Sequence, residues 1–213
     1  MEKKVIIFDL DGVLFDTIDL ASADMLKLYP GVTPEAIKSM HKNNIHDEMK
    51  KPTWIKKQET DEERDKRWQI YTQNKAKQPM YKDMKEFVQR LAKKYILVIN
   101  TSAMTVNCMP LLLRESIAVC FSQIATKEMH TSKAEKFKMI SEQFGQNIGK
   151  MLFITDTVGD LLEAGVVNIP TIAVTWGMHD RDYFTEKPYK NLIAIVDSPK
   201  ELEEYINAYE FAL

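Results

Sequence analysis

Residues 5–8, Val-Ile-Ile-Phe, form an unbroken apolar run that ends at once in Asp9-Leu10-Asp11-Gly12. Four β-branched or aromatic residues with no polar interruption predict a strand buried on both faces. Such a strand belongs to a parallel sheet covered by helices on each side. Further runs of this kind recur at Ile96–Ile99, around Val119–Ile124, and at Met151–Thr155, Thr171–Val174 and Leu192–Val196. Helical segments separate them. One spans Met84–Lys94, one lies near Val106–Arg114, and one opens on the Ser132-Lys133-Ala134-Glu135 capping box and ends at Gly145. Another lies near Asp160–Ala164, and the last follows Ser198, Pro199 and Glu201. This alternation predicts an α/β fold, a Rossmann-like parallel sheet sandwiched by helices.

Residues 17–78 break the alternation. A helix from Asp16 to Tyr29 stops at Pro30-Gly31, a second begins at Thr33-Pro34, and a third starts at the Thr60-Asp61-Glu62-Glu63 capping box. Charge is densest here, at Lys50-Lys51, Lys56-Lys57 and from Asp61 to Arg67, and no long buried strand interrupts it. The expected organisation is a core of residues 1–16 and 79–213 with a small helical insertion of residues 17–78.

The 213 residues carry a formal charge of -2, with 45% hydrophobic and 28% charged residues, so composition implies neither a nucleic-acid nor a membrane partner. The N-terminal apolar run is too short for a signal peptide and ends at Asp9. Two cysteines, Cys108 in an expected helix and Cys120 in an expected strand, lack metal-ligand spacing and read as core thiols of a cytoplasmic protein.

Ligands of open α/β sheets gather beyond the carboxyl ends of the strands. Three polar clusters fall there: Asp9 and Asp11 after the first strand, Asn100-Thr101-Ser102 after the second, and Thr155-Asp156-Thr157-Val158-Gly159-Asp160 after the fourth. Each has a plain structural alternative, since Asp-Gly makes turns and Thr101, Ser102 or Asp160 can cap helices. Lys133 fits such an alternative poorly, because a lysine in the first turn of a helix opposes the macrodipole.

Taken together, these residues resemble the haloacid dehalogenase-like phosphohydrolase superfamily. Asp9-Leu-Asp11-Gly-Val-Leu-Phe-Asp-Thr17 matches its first motif, Thr101 the second, Lys133 the third, and Asp156 with Asp160 the fourth. Asn100 leaves the register of the second motif open by one position. The helical insertion lies where that family carries an α-helical cap. The resemblance implies a phosphatase acting on a small phosphorylated metabolite, as a monomer or homodimer. Asp9 would be the nucleophile that forms an aspartyl-phosphate, and Asp11 the general acid/base. Mg²⁺ would be held by Asp9, Asp156 and Asp160 with the Asp11 backbone carbonyl. Thr101, Ser102 and Lys133 would bind the phosphate. The alternatives are a phosphoglucomutase-like sugar-phosphate mutase, which returns the phosphoryl group, and a non-catalytic phosphate-binding protein. A carbon-halogen hydrolase has no use for Asp11, and a receiver-like domain does not account for the insertion.

His41, His46, His130 and His179 show no ligand spacing and read as surface or loop residues. The polar cluster of His41, Lys42, Asn43, Asn44 and His46 is equally consistent with a solvated helix end and with a substrate-facing wall.

Overall fold

The computed structural model describes residues 3–209. Among them, β1 (Val5–Phe8), β2 (Ile96–Asn100), β3 (Gln123–Ala125), β4 (Leu152–Thr155), β5 (Thr171–Val174) and β6 (Leu192–Val196) form one parallel sheet. Its strand order is β3-β2-β1-β4-β5-β6. The unbroken apolar runs have the expected cause, since all four residues of β1 are buried and their side chains alternate between two cores. Ile6 and Phe8 pack with α5 (Met84–Lys94), α6 (Thr105–Arg114) and α10 (Pro199–Ala208). Val5 and Ile7 pack on the opposite face with α7 (Lys133–Phe144) and part of α8 (Val158–Val166).

The expected strand around Val119–Ile124 is shorter and later. Ser116 turns the chain with a φ of 58°, residues 118–120 form a 3₁₀ turn, and pairing begins only at Gln123. Val119 is 92% exposed, so its apolar character reported a turn residue rather than a buried strand. Cys120 accordingly lies in that turn and is only partly buried, whereas Cys108 is a core residue of α6. Thr60 and Glu63 form both bonds of their capping box. Ser132 forms only its own half, accepting from the Glu135 N–H at 3.4 Å, because the Glu135 carboxylate pairs with Lys138 instead.

Residues 17–78 contain α1 (Ile18–Leu28), α2 (Pro34–Met40), the single turn α3 (Ile45–Glu48) and α4 (Asp61–Lys75). The chain leaves and re-enters the sheet region at adjacent points, where the Asp16 N–H donates to the Pro79 carbonyl at 2.9 Å. Arg114 holds the return by donating to the Ala76 and Gln78 carbonyls, each at 2.6 Å.

A second line of contacts docks the turn after α2 onto the start of α8. The Gly159 N–H donates to the His41 carbonyl at 2.9 Å. Approach this close requires glycine, because a Cβ there would overlap the Asn43 carbonyl. Asn44 Nδ2 donates to Glu163 at 2.9 Å, and Lys42 pairs with Glu186 at 2.8 Å. His179 completes the seam and is not the surface residue expected. It is 0% exposed, its Nδ1 accepts from the Val158 N–H at 3.0 Å, and its Nε2 donates to the Lys38 carbonyl at 2.9 Å. The ring also stacks on Tyr183 at 4.3 Å, in α9 (Arg181–Thr185). Both ring nitrogens are therefore committed in the neutral state.

Two outcomes follow from this seam. Gly159→Ala should lower the urea-unfolding free energy by about 1–3 kcal/mol through overpacking. It should also speed amide exchange at residues 41–44; unchanged exchange there would contradict the docking. Burial pushes the His179 imidazole down to about 4, so the unfolded chain takes up its proton first as pH falls. This contribution is complete above the ordinary histidine value and is lost between about pH 6.5 and 4. Wild type should thus lose stability relative to His179→Asn over that window, measured by urea midpoints at successive pH values.

Candidate active site

Asp9 is the first residue beyond β1, and its N–H donates to the Ile154 carbonyl of β4 at 3.0 Å. The register pairs Phe8 with Ile99 and with Ile154, so β1, β2 and β4 end at one level. From β1 the chain builds outward through β2 and β3 on one side, then through β4, β5 and β6 on the other. The crevice at such a reversal is where sheets of this kind bind ligands. Asp9 and Asp156 stand on its two sides.

Lys133 ties these groups together. Its side chain is 1% exposed, and its Nζ lies 2.7 Å from Asp9 Oδ2 and 2.6 Å from Asp160 Oδ2. The misfit of a lysine at a helix N-terminus is thereby explained, since its ammonium reaches back to two carboxylates. Asp9 Oδ1 accepts from the Leu10 N–H at 2.7 Å, and Asp160 accepts from Thr155 Oγ1 at 3.0 Å. Asp156 Oδ2 accepts from the Met178 N–H at 2.8 Å, while its Oδ1 is buried without a hydrogen-bond partner. Gly12, with a φ of 71°, passes so close to Asp156 that a Cβ would collide with the carboxylate.

Asp9, Asp156 and Asp160 each place a carboxylate oxygen within 4.8 Å of the others. Burial raises Asp9 well above the carboxylate range despite Lys133, with Asp160 and Asp156 adding to the rise. Burial likewise pushes Asp156 up to about 7. Asp160 is the exception: burial opposes its ionisation, but the Lys133 charge and its hydrogen bonds hold it below the usual value. Three buried carboxylates sharing one ammonium, with one oxygen orphaned, form a donor set that can hold a hard divalent cation.

Asp11 faces the same cavity but has separate partners. Its carboxylate accepts from Thr17 Oγ1 at 2.7 Å and lies 2.7 Å from Lys75 Nζ. Lys75, at the end of α4, is a buried cation that sequence reasoning missed. Thr101 and Ser102 line the cavity. Neither caps α6, whose first N–H, at Thr105, is bound by the Glu128 carboxylate at 2.9 Å. Asn100 is turned away, its Nδ2 donating to the Lys133 carbonyl at 3.3 Å. Nor does Asp160 cap α8, since Thr157 Oγ1 accepts the Asp160 N–H at 3.3 Å. Lys136, also missed, is fully buried and donates to the Thr101 carbonyl at 2.6 Å.

The cavity has a volume of about 140 Å³ and shares Asp11, Ala21, His41, Ile45, Tyr71 and Ser102 with an outer chamber of about 420 Å³ between α1, α3, α4 and residues 102–107. His41 lines both, and His46 the outer one, so these two histidines are not the plain surface residues expected. Glu163, unmarked by any motif, also lines the inner cavity, with its Oε1 accepting from the Lys133 N–H and Ser132 Oγ, each at 2.8 Å. The polar cluster at 41–46 divides: His41 and Asn43 face the cavity, while Lys42 and Asn44 dock on the core.

A comparison with curated proteins finds no match. Solved structures share the fold across almost the whole chain. A predicted phosphatase from Clostridium acetobutylicum is 20% identical, with a TM-score of 0.77 over 98% of this chain and 100% of its own. A haloacid dehalogenase-like family hydrolase from Streptococcus pneumoniae is 22% identical, with a TM-score of 0.69 over 96% and 99%. A predicted phosphoglycolate phosphatase from Haemophilus somnus is 20% identical, with a TM-score of 0.68 over 96% and 98%. The family profile described as haloacid dehalogenase-like hydrolase matches residues 6–174, and it begins within β1 and ends with β5. On that match the chain belongs to the haloacid dehalogenase-like hydrolases.

Proposed function

We propose that the protein is a Mg²⁺-dependent phosphatase that removes phosphate from a small phosphate monoester through an aspartyl-phosphate on Asp9. The observation that carries this reading is the buried cluster of Asp9, Asp156 and Asp160 around Lys133 at the floor of a small cavity. The phosphatases among the structural neighbours support it.

Mg²⁺ suits oxygen donors, and the orphaned Asp156 Oδ1 supports a cation there beside Asp9, Asp160 and the Asp11 carbonyl. When bound, it would offset the negative charge of the carboxylates and the phosphate. The chain's own residues then divide the work. Asp9, which lines the cavity beside Lys133, attacks phosphorus through a carboxylate oxygen and splits hydrolysis into two steps. Asp11, held by Thr17 and Lys75, gives its proton to the leaving oxygen and afterwards takes one from the attacking water. Lys133 and the Thr101 and Ser102 groups bind phosphoryl oxygens that gain charge in the transition state. Residues 17–78 act as a cap that closes the cavity to bulk water. A cytoplasmic setting agrees with two unpaired cysteines, and no helix among the described residues is long and apolar enough to cross a membrane.

The test is release of inorganic phosphate from an aryl phosphate with Mg²⁺ or with EDTA. Activity should require the metal. Asp9→Asn should lose about four or more orders of magnitude in kcat, and Asp11→Asn about 10²–10⁴ with an alkyl phosphate, where the leaving group needs a proton. Retained turnover in Asp9→Asn would refute the nucleophile.

A further inference from the structure

His41 lines the inner cavity, and the proposed chemistry leaves it unused. His41 Nδ1 lies 2.9 Å from the Ile37 carbonyl, which only accepts, so Nδ1 carries the proton and Nε2 presents a lone pair. No described residue donates to that Nε2. The ring borders both chambers and stands near enough to Asp160 and Lys133 for each charge to act on it. Its place is fixed, because the His41 carbonyl accepts from Gly159 in the helix that carries Asp160. Burial favours the neutral ring, which suits an acceptor and not a counter-ion for an anion.

The rest of the wall agrees. Residues 17–78 contribute Ile18, Ala21, His41, Asn43, Ile45 and Tyr71 to the inner cavity, and none is a lysine or arginine. Of the cations around the outer chamber, Lys75 pairs with Asp11 and Arg67 with Asp24 and Glu59, whereas Lys56 and Lys127 line that chamber and not the inner cavity. The inner cavity is lined as well by Asp9, Asp11, Asp156, Asp160 and Glu163. Lys133, the one cation lining the inner cavity among the described residues, is already shared by Asp9 and Asp160, so a second anion brought into that cavity would leave water with no further cation to receive it, which is costly. A hydroxyl, by contrast, would give His41 Nε2 the donor it lacks.

We infer that His41 Nε2 accepts a hydrogen bond from a hydroxyl of the leaving group, so the substrate is a small phosphate monoester that brings a hydroxyl, not a second anion, into the inner cavity. This rests on the phosphatase reading only for its kinetic arm. Three primary alkyl phosphates of three carbons separate the features: glycerol 3-phosphate has the hydroxyls, n-propyl phosphate lacks them, and 3-phosphoglycerate replaces one end with a carboxylate. Wild type should favour glycerol 3-phosphate in kcat/KM by about tenfold or more over n-propyl phosphate, the size expected of one buried hydrogen bond. It should favour it over 3-phosphoglycerate by more. His41→Ala should cut the rate for glycerol 3-phosphate about tenfold more than that for n-propyl phosphate, and His41→Gln, whose amide oxygen can accept, should restore part of the difference.

Binding of the same three compounds to Asp9→Asn by calorimetry gives the order without turnover. Selective binding without hydrolysis by wild type would refute the phosphatase reading and uphold the role of His41. Equal binding of glycerol and propyl phosphates, a preference that survives in His41→Ala, or tighter binding of 3-phosphoglycerate would overturn it.

Discussion

The Lys133 ammonium, buried between Asp9 and Asp160, is the interaction on which the site depends. It joins the end of β1, the first turn of α7 and the first turn of α8, three elements that meet only because the sheet is parallel and its strands end together. Removing one partner from such a buried pair costs about 3–5 kcal/mol, since a charge is left without a counterpart. The pairing is also incomplete. One ammonium cannot neutralise Asp9, Asp156 and Asp160, and burial, with the neighbouring acid charge adding to it, raises the carboxyls of Asp9 and Asp156. That surplus of buried acid, with an unpartnered Asp156 oxygen, is what supports a cation in the site.

Around this centre the helical residues 17–78 are fastened in two places. One seam joins α4 to the core through the Lys75 ion pair, the bond from Thr72 to Asn107 and the Arg114 bonds to Ala76 and Gln78. The other joins the turn after α2 to α8 through Gly159, Glu163 and His179. Glu163 links that seam to the centre, because the carboxylate that accepts from Asn44 also accepts from the Lys133 N–H. The wall of the cavity and the lysine at its floor therefore share a support.

Parallel strands buried on both faces are written as unbroken apolar runs, so β1, β2, β4, β5 and β6 were legible, as was the placing of the acidic residues at their ends. Val119 shows the limit of that signal, because an apolar run does not say where pairing stops. Residues whose roles arise from tertiary approach left no mark. Lys75 stands 64 positions from Asp11 in a highly charged helix, and only the return of α4 to the core pairs them. Lys136 reads as an ordinary helix lysine until its neighbour Thr101 is known, and His179 as a loop residue until α2 closes over it. His41 lay in a polar cluster whose facing could not be read from composition.

The central claim is that the buried carboxylate at position 9 carries the phosphoryl group. Acid-quenched mass spectrometry of the enzyme mixed with substrate and Mg²⁺ tests it directly. The account predicts a transient phosphoryl adduct on Asp9 that forms before phosphate is released and disappears as substrate is exhausted. Steady turnover with no adduct at any quench time, or with the adduct on another residue, would contradict it.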